Sequence, residues 1–270
     1  MEQRSILITG PILSADLLEK LDTLPGQKEK DFGLPANAKL RDEIGRAWGD
    51  ATDYWRIFKR KREALAEKAH GTTETRNQWL VPLLTVLGYQ PTFGTAEQVG
   101  DRSFDIPFRD KGRDELPLVL MSFRDSLDRK PENNRGSRSP HALLQEFLNH
   151  TEHTYGLVSN GLQLRLLRDS GRISRLSYVE FDLQRIMDEQ RYTDFALLYR
   201  LLHASRMPQR REEASGSFIE QYHQQGLADG ERIRDDLSSA VEKAIKGFAD
   251  AFLADTRNAA FVRTLHDQHA

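Results

Sequence analysis

Apolar positions recur at helical spacing at both ends of the chain and at strand spacing in the block between. From Asn37 to about Lys68 no proline intervenes, and Ile44, Trp48, Ala51, Trp55, Phe58 and Leu65 fall at steps near three, four or seven. A helix of about 30 residues would run about 45 Å, so it is expected to lean on another domain or helix. Before it, residues 1–35 are broken by Pro11, Pro25, Gly26, Gly33 and Pro35, leaving room for a short helix at 14–22 capped by Ser14. A third helix is predicted from Thr75 to Leu87, stopped by Gly88 and kinked at Pro82.

The pattern then changes period. Ser103 to Phe108 alternates as a half-exposed strand, and Leu116 to Phe123 is apolar enough for a strand covered on both faces. A polar, basic loop fills 124–138. Ser139-Pro140 is a strong helix start, followed by the stripe Leu143, Leu144, Phe147 and Leu148. Asn160-Gly161 between two strand-like runs predicts a hairpin over 155–167, with another strand from Leu176 to Leu183. Helices return at 184–190 and 192–204, then a charged linker at 208–216. A helix from Phe218 to Ala254 carries the stripe Ile233, Leu237, Val241, Ile245, Phe248 and Phe252. That stripe has no evident partner in the chain, as expected where a larger protein continues. No internal repeat is present.

Composition narrows the function classes. With 38% hydrophobic and 30% charged residues, the 270-residue chain reads as globular and charge-rich. It has no cysteine, which removes disulfides and thiolate chemistry, and no apolar run long enough for a membrane span. The first ten residues do not form a signal peptide, so the expected compartment is a cytosol. Net charge is −2, yet basic residues cluster in two places. Arg56, Lys59, Arg60, Lys61 and Arg62 put five cations within seven residues, and a second group comprises Arg124, Arg129, Lys130, Arg135 and Arg138. Both are candidate phosphate contacts; solvated helix and loop surfaces are the alternative.

The order helix, strand, strand, helix, strand, strand resembles the core of PD-(D/E)xK nucleases. In that fold an aspartate on one strand and a Glu/Asp-x-Lys on the next hold a divalent metal. Asp105 stands where the first aspartate belongs. The following strand offers neither carboxylate nor lysine, and the chain's one Glu/Asp-x-Lys is Asp128-Arg129-Lys130, in the loop beyond it. Asp105, Asp128 and Lys130 are therefore the weak nuclease candidates, and Mg²⁺ is expected only if such a nuclease is active.

Three stretches carry a wider resemblance, and Tyr178 to Leu183 and Asp194 to His203 fit the same pattern. Residues 76–84 (Arg76 through Leu84), 139–149 (Ser139 through Asn149) and 156–169 (Gly156 through Asp169) are similar to the N-terminal region of large adenine-specific DNA methyltransferases. These are of the type IIG restriction–modification kind, with relatives in the BREX and DISARM phage-defence systems. The likeness spans roughly residues 70–255. It implies an α/β (α+β) fold: a PD-(D/E)xK nuclease-like mixed-sheet core at 70–185, with long flanking helices at 1–69 and 186–270. The second flank would lead toward an absent methyltransferase domain. It also implies DNA, and a methyltransferase domain or another defence-system protein, as partners.

The family's chemistry does not carry over. The base-flipping loop of adenine methylation needs adjacent prolines, and none of the ten prolines adjoins another. No glycine has another two positions away, which removes the usual S-adenosylmethionine turn, and none precedes a lysine as a P-loop requires. S-adenosylmethionine is accordingly expected of the full-length family and not of this chain. His141, His150 and His153 could begin a metal site only if further ligands converged, and Ser122 and Ser159 lack a nucleophile-elbow context. The leading expectation is a non-catalytic DNA-contacting or scaffolding module. Its rivals are a protein-interaction module whose stripes at 37–68 and 218–254 meet a partner, and a metal-dependent nuclease with a displaced site.

Overall fold

The computed structural model describes residues 5–131, 138–169 and 176–268. The strands are β1 (Ile6–Thr9), β2 (Pro91–Phe93), β3 (Glu97–Val99), β4 (Arg102–Phe104), β5 (Phe108–Asp110), β6 (Leu116–Leu120), β7 (Tyr155–Ser159), β8 (Gln163–Arg168) and β9 (Tyr178–Asp182). Seven of them form one mixed sheet in the order β1-β9-β8-β7-β6-β5-β2, while β3 and β4 pair as a separate hairpin. Every neighbouring pair in the large sheet is antiparallel except β6 and β7. The fold is mixed α/β.

The helices are α1 (Ala15–Glu19), α2 (Leu40–Ala64), α3 (Thr72–Thr75), α4 (Val81–Val86), α5 (Pro140–His150), α6 (Leu183–Asp188), α7 (Tyr192–Leu202), α8 (Phe218–Ala254) and α9 (Ala259–Gln268). Between α3 and α4 the backbone opens into one π turn, Arg76–Leu80, closed by Val81 N–H donating to the Arg76 carbonyl. Pro82 follows directly. Its missing N–H is accommodated by this widened turn, so the expected kink becomes a π turn.

Alternation along the central strands covers both faces of the sheet. Leu118, Leu120, Leu157, Leu164, Leu166, Val179 and Phe181 join the cluster built with α2, α4, α6 and α7. Val119, Val158, Leu167 and Tyr178 face the opposite way, against Leu144, Phe147 and Leu148 of α5. The stripe of α2 is therefore consumed inside the fold. Ile44, Ala47, Ala51, Trp55 and Phe58 are all buried, and no outside domain is needed to cover them.

Three expectations change. The strand proposed for Ser103 to Phe108 is two strands in different sheets, separated at Asp105-Ile106-Pro107, where proline has no N–H for a ladder. The boundaries at 69 and 185 do not divide compact bodies. The chain separates instead into a unit ending at Gly226 and one beginning at Leu227, because β1 completes the sheet edge against β9 and α2 packs in the core. The linker at 208–216 contains a 3-10 helix, Arg211–Gly216, and Arg211 N–H donates to Asp114 Oδ2 at 3.0 Å. In the first unit, Glu220 of α8 fixes the helix start. It accepts from Tyr155 Oη at 2.6 Å and from Arg168 Nη2 and Nε at 2.8 and 2.9 Å. In the second unit, the Phe252 and Phe261 rings meet with centroids 5.7 Å apart.

The hairpin at Asn160-Gly161 is present, with Ser159 opposite Leu164. Gly161 has φ +83°, and a Cβ there would lie 2.6 Å from Thr75 Cγ2, on the helix whose Trp79 Nε1 donates to the Gly161 carbonyl at 2.7 Å. Gly161→Ala should therefore lower the unfolding free energy by about 1–3 kcal/mol. A urea titration of the two proteins measures it, and equal midpoints would refute the strain.

Candidate functional site

Because β6 and β7 run parallel, their carboxyl ends share one rim of the sheet, and the chain leaving β6 crosses that rim before entering α5. Ligands of open α/β sheets collect at such rims. Three adjoining cavities lie here. The first, about 380 Å³, is bounded by Arg76, Asp105, Pro107, Met121, Arg138 and Leu143 among others. The second, about 280 Å³, shares Arg76, Met121 and Pro131 with it and adds His70, Thr72, Ser122 and Asp125. The third, about 360 Å³, shares His70, Asp125 and Pro131 with the second and adds Lys68, Arg124, Arg129 and Lys130. Shared walls make them one groove.

The loop that forms its outer wall is anchored from below. Leu127 is buried, and its carbonyl accepts from His141 N–H at 3.0 Å. Asn160 Nδ2 donates to the Asp125 carbonyl at 2.8 Å, and the Asp125 carboxylate accepts from Ser122 N–H at 3.0 Å. Arg165 of β8, with its side chain 4% exposed, forks onto Asp128 at 2.6 and 2.8 Å. Its Nε donates to Glu180 at 2.5 Å, and its Cζ sits 4.4 Å from the Tyr178 ring centre. Burial alone would lower the Arg165 pKa, but hydrogen bonds to Asp128 and Glu180 outweigh it and raise the value. The same Arg165 bond holds Asp128 below the ordinary aspartate range.

The basic candidates fare differently. Arg124, Arg129 and Lys130 are exposed on the anchored loop and line the groove. Arg138 lines the first cavity, where it is paired with Glu146 and lies 5.9 Å from the Phe104 ring. Arg135 falls outside the described residues. On α2, Arg56 pairs with Asp53 at 2.7 Å and Lys59 with Asp188 at 2.9 Å, while Arg60 and Lys61 are exposed. Arg62 lies 5.8 Å from the Phe123 ring, which Arg124 contacts from 5.0 Å. The end of α2 thus adjoins the loop.

The nuclease candidates do not assemble. Asp105 is exposed and lines the first cavity, and Lys130 lines the third. Asp128 is committed to Arg165 and bounds none of the three cavities. Among the described residues no three His, Asp or Glu side chains converge as a metal set. A divalent ion at Asp105 would also share its cavity with the Arg76 guanidinium. The residues do not fit a metal-dependent nuclease centre.

The three histidines are likewise separate. His150 Nε2 lies 2.9 Å from Arg102 Nη1, and the His153 ring packs on Phe147 with centroids 5.5 Å apart. His141 sits 3.3 Å from Arg165 Nη1. Burial, reinforced by the Arg165 charge and opposed by Asp128, pushes the His141 pKa down to about 4. His153 and His203 are also lowered to about 4, mainly by burial. Ser122 and Ser159 are buried and hydrogen-bonded to backbone.

Sequence reasoning missed Arg76, His70 and Asp125. His70 Nε2 lies 3.1 Å from Asp125 Oδ1 and its Nδ1 lies 2.7 Å from Thr72 Oγ1. Arg76 opens one of the resembling stretches without any site signal there, and the three residues meet only when the segment 70–76 is laid beside the exit of β6. No family model, curated protein or solved structure matches the chain.

Two pH effects of opposite origin follow. Asp128, with its lowered carboxyl, contributes stability that is present above about pH 3.8 and is lost as pH falls through its folded-state value. The buried neutral histidines act earlier: stability should decline as pH drops from 6.5 toward 4, where the unfolded chain binds protons that the fold refuses. Urea midpoints at pH 7 and pH 5 should therefore differ for the wild type, and less so for His141→Gln. Identical pH dependence in the two proteins would place His141 outside this linkage. Asp128→Asn should cost roughly 1–2 kcal/mol at pH 7, since it leaves Arg165 half paired while Asp128 itself is largely exposed.

Proposed function

We propose that the unit ending at Gly226 is a non-catalytic nucleic-acid-contacting module with a degenerate nuclease-like core, of the kind attached to restriction–modification or phage-defence adenine methyltransferases. The observation that carries this reading is the groove at the β6 exit. Its rim places Arg124, Arg129 and Lys130 outward on a loop held by buried contacts. Cations on a pinned loop lose less conformational freedom on meeting phosphate than cations on a loose one. The meander of β5 and β6, the crossover through α5 and the parallel β7 support the nuclease-like element, whereas Asp105 lies in the break between β4 and β5 and not on a strand. The missing carboxylate and lysine on β6 support contact without cleavage. S-adenosylmethionine and the methyltransferase domain belong, in this reading, to the larger enzyme.

A salt series tests it. The full chain should bind a labelled duplex with micromolar affinity that falls steeply as salt rises. The triple variant Arg124→Glu, Arg129→Glu, Lys130→Glu should bind at least tenfold more weakly and with a flatter salt dependence. Equal binding by the charge-reversed protein would remove this loop from the interface.

A second reading has an observation of its own. In the unit from Leu227 onward, Ile233, Leu237, Val241, Ile245, Phe248 and Phe252 of α8 are exposed, Phe248 by 78%. Single exposed apolar residues are ordinary, but a continuous stripe of this length marks an interaction face. Scaffolding through α8 is compatible with DNA contact by the first unit. Leu237→Glu with Phe248→Glu should abolish association measured by sedimentation, while a wild-type chain that stays monomeric with no added partner bound would leave the stripe without a role.

A further inference from the structure

Among the described residues, Arg76 is the one cation shared by the first and second cavities. It opens the π turn, and its Nε donates to the Leu120 carbonyl at 2.6 Å, the last residue of β6. Its Cζ lies 5.4 Å from the Phe108 ring. Nε and the ring therefore fix the guanidinium plane, leaving the two terminal nitrogens without a hydrogen-bond or ion-pair partner among the described residues. Asp105 and Asp125 stand on either side and attract it, yet burial prevails and lowers the Arg76 pKa. A guanidinium stays charged under such conditions. Half-buried charge of this kind is normally paired. Among the described residues no side chain supplies that pairing, which leaves the terminal nitrogens open to an anion in the groove.

We propose that Arg76 anchors a phosphate group on the floor of this groove, its fixed fork occupying the place a divalent cation would take and holding the anion without metal. The proposal rests on the nucleic-acid reading for the identity of the phosphate, a backbone phosphodiester, though the subsite can exist without it. Planarity decides the residue type. Arginine can give Nε to the strand end and still present two parallel donors to phosphate oxygens. Lysine at the same position has one nitrogen for both tasks. A guanidinium cannot act as a general base, so Arg76 itself positions the phosphodiester and activates no water.

The test compares the full chain with Arg76→Gln, Arg76→Lys and, as a control for lost net charge, Arg41→Gln, an exposed residue of α2. Each variant is first checked for an unchanged unfolding temperature; if Arg76→Gln fails that check, Arg76→Lys carries the comparison. Duplex binding is measured by anisotropy in EDTA, and ³¹P line broadening of inorganic phosphate is recorded separately. The expected result is wild-type binding that persists in EDTA, about tenfold weaker binding for Arg76→Gln, and a log–log salt slope reduced by about 0.9. Arg76→Lys should fall between, and Arg41→Gln should match the wild type. If the wild type binds duplex and Arg76→Gln binds with the same affinity and slope, the subsite is overturned while the groove reading stands. If the wild type ignores duplex but broadens the phosphate signal, and Arg76→Gln does not, the groove reading fails and the subsite stands. Absence of both effects overturns both. Wild-type binding that disappears in EDTA overturns the metal-free anchor.

Discussion

A buried arginine on the central sheet decides where the groove is and what shape it has. Arg165 points inward from β8, where an unpaired guanidinium would be costly, and is satisfied from two sides by Glu180 and Asp128. Glu180 is its cross-strand neighbour on β9. Asp128 comes from the loop that leaves β6, so the arginine can be fully paired only when that loop is folded down over the rim. Charge satisfaction in the core and the position of the basic loop are one event.

The rest of the site follows from chain direction. A parallel β6–β7 pair requires a crossover, here through α5, and the loop leaving β6 is held by Asn160 just beyond the end of β7. The turn before α3 approaches the same rim from the other face, and Arg76 closes onto Leu120. Lys68 and Arg76 thus reach one groove together with Arg124, Arg129, Lys130 and Arg138. The unit containing them carries its core in two clusters, one on each face of the sheet.

Local signals made much of the fold legible. Ser139-Pro140 starts α5 with the serine hydroxyl accepting from Ala142 N–H at 3.2 Å, as the sequence suggests. Asn160-Gly161 turns the β7–β8 hairpin because only glycine tolerates the positive φ against Thr75. The apolar spacing of α2 is matched by its burial. Where non-local geometry intervenes, the sequence is silent. The alternation from Ser103 to Phe108 looks like one strand, but Pro107 lets the chain switch between sheets. Asp128-Arg129-Lys130 looks like a nuclease triplet, but its aspartate is bound to an arginine 37 residues later. Arg124, Arg129 and Lys130 could be chosen from charge density alone. Arg76 could not, since only the tertiary fold gives it a strand end to hold and two cavities to face.

Amide hydrogen exchange of the full chain, with and without duplex DNA, tests the central claim most directly. The groove account expects exchange to slow at residues 70–76 and 121–131 when DNA is added, with the strands behind them unchanged. Protection confined to the exposed stripe of α8, or spread evenly over the surface, would contradict it.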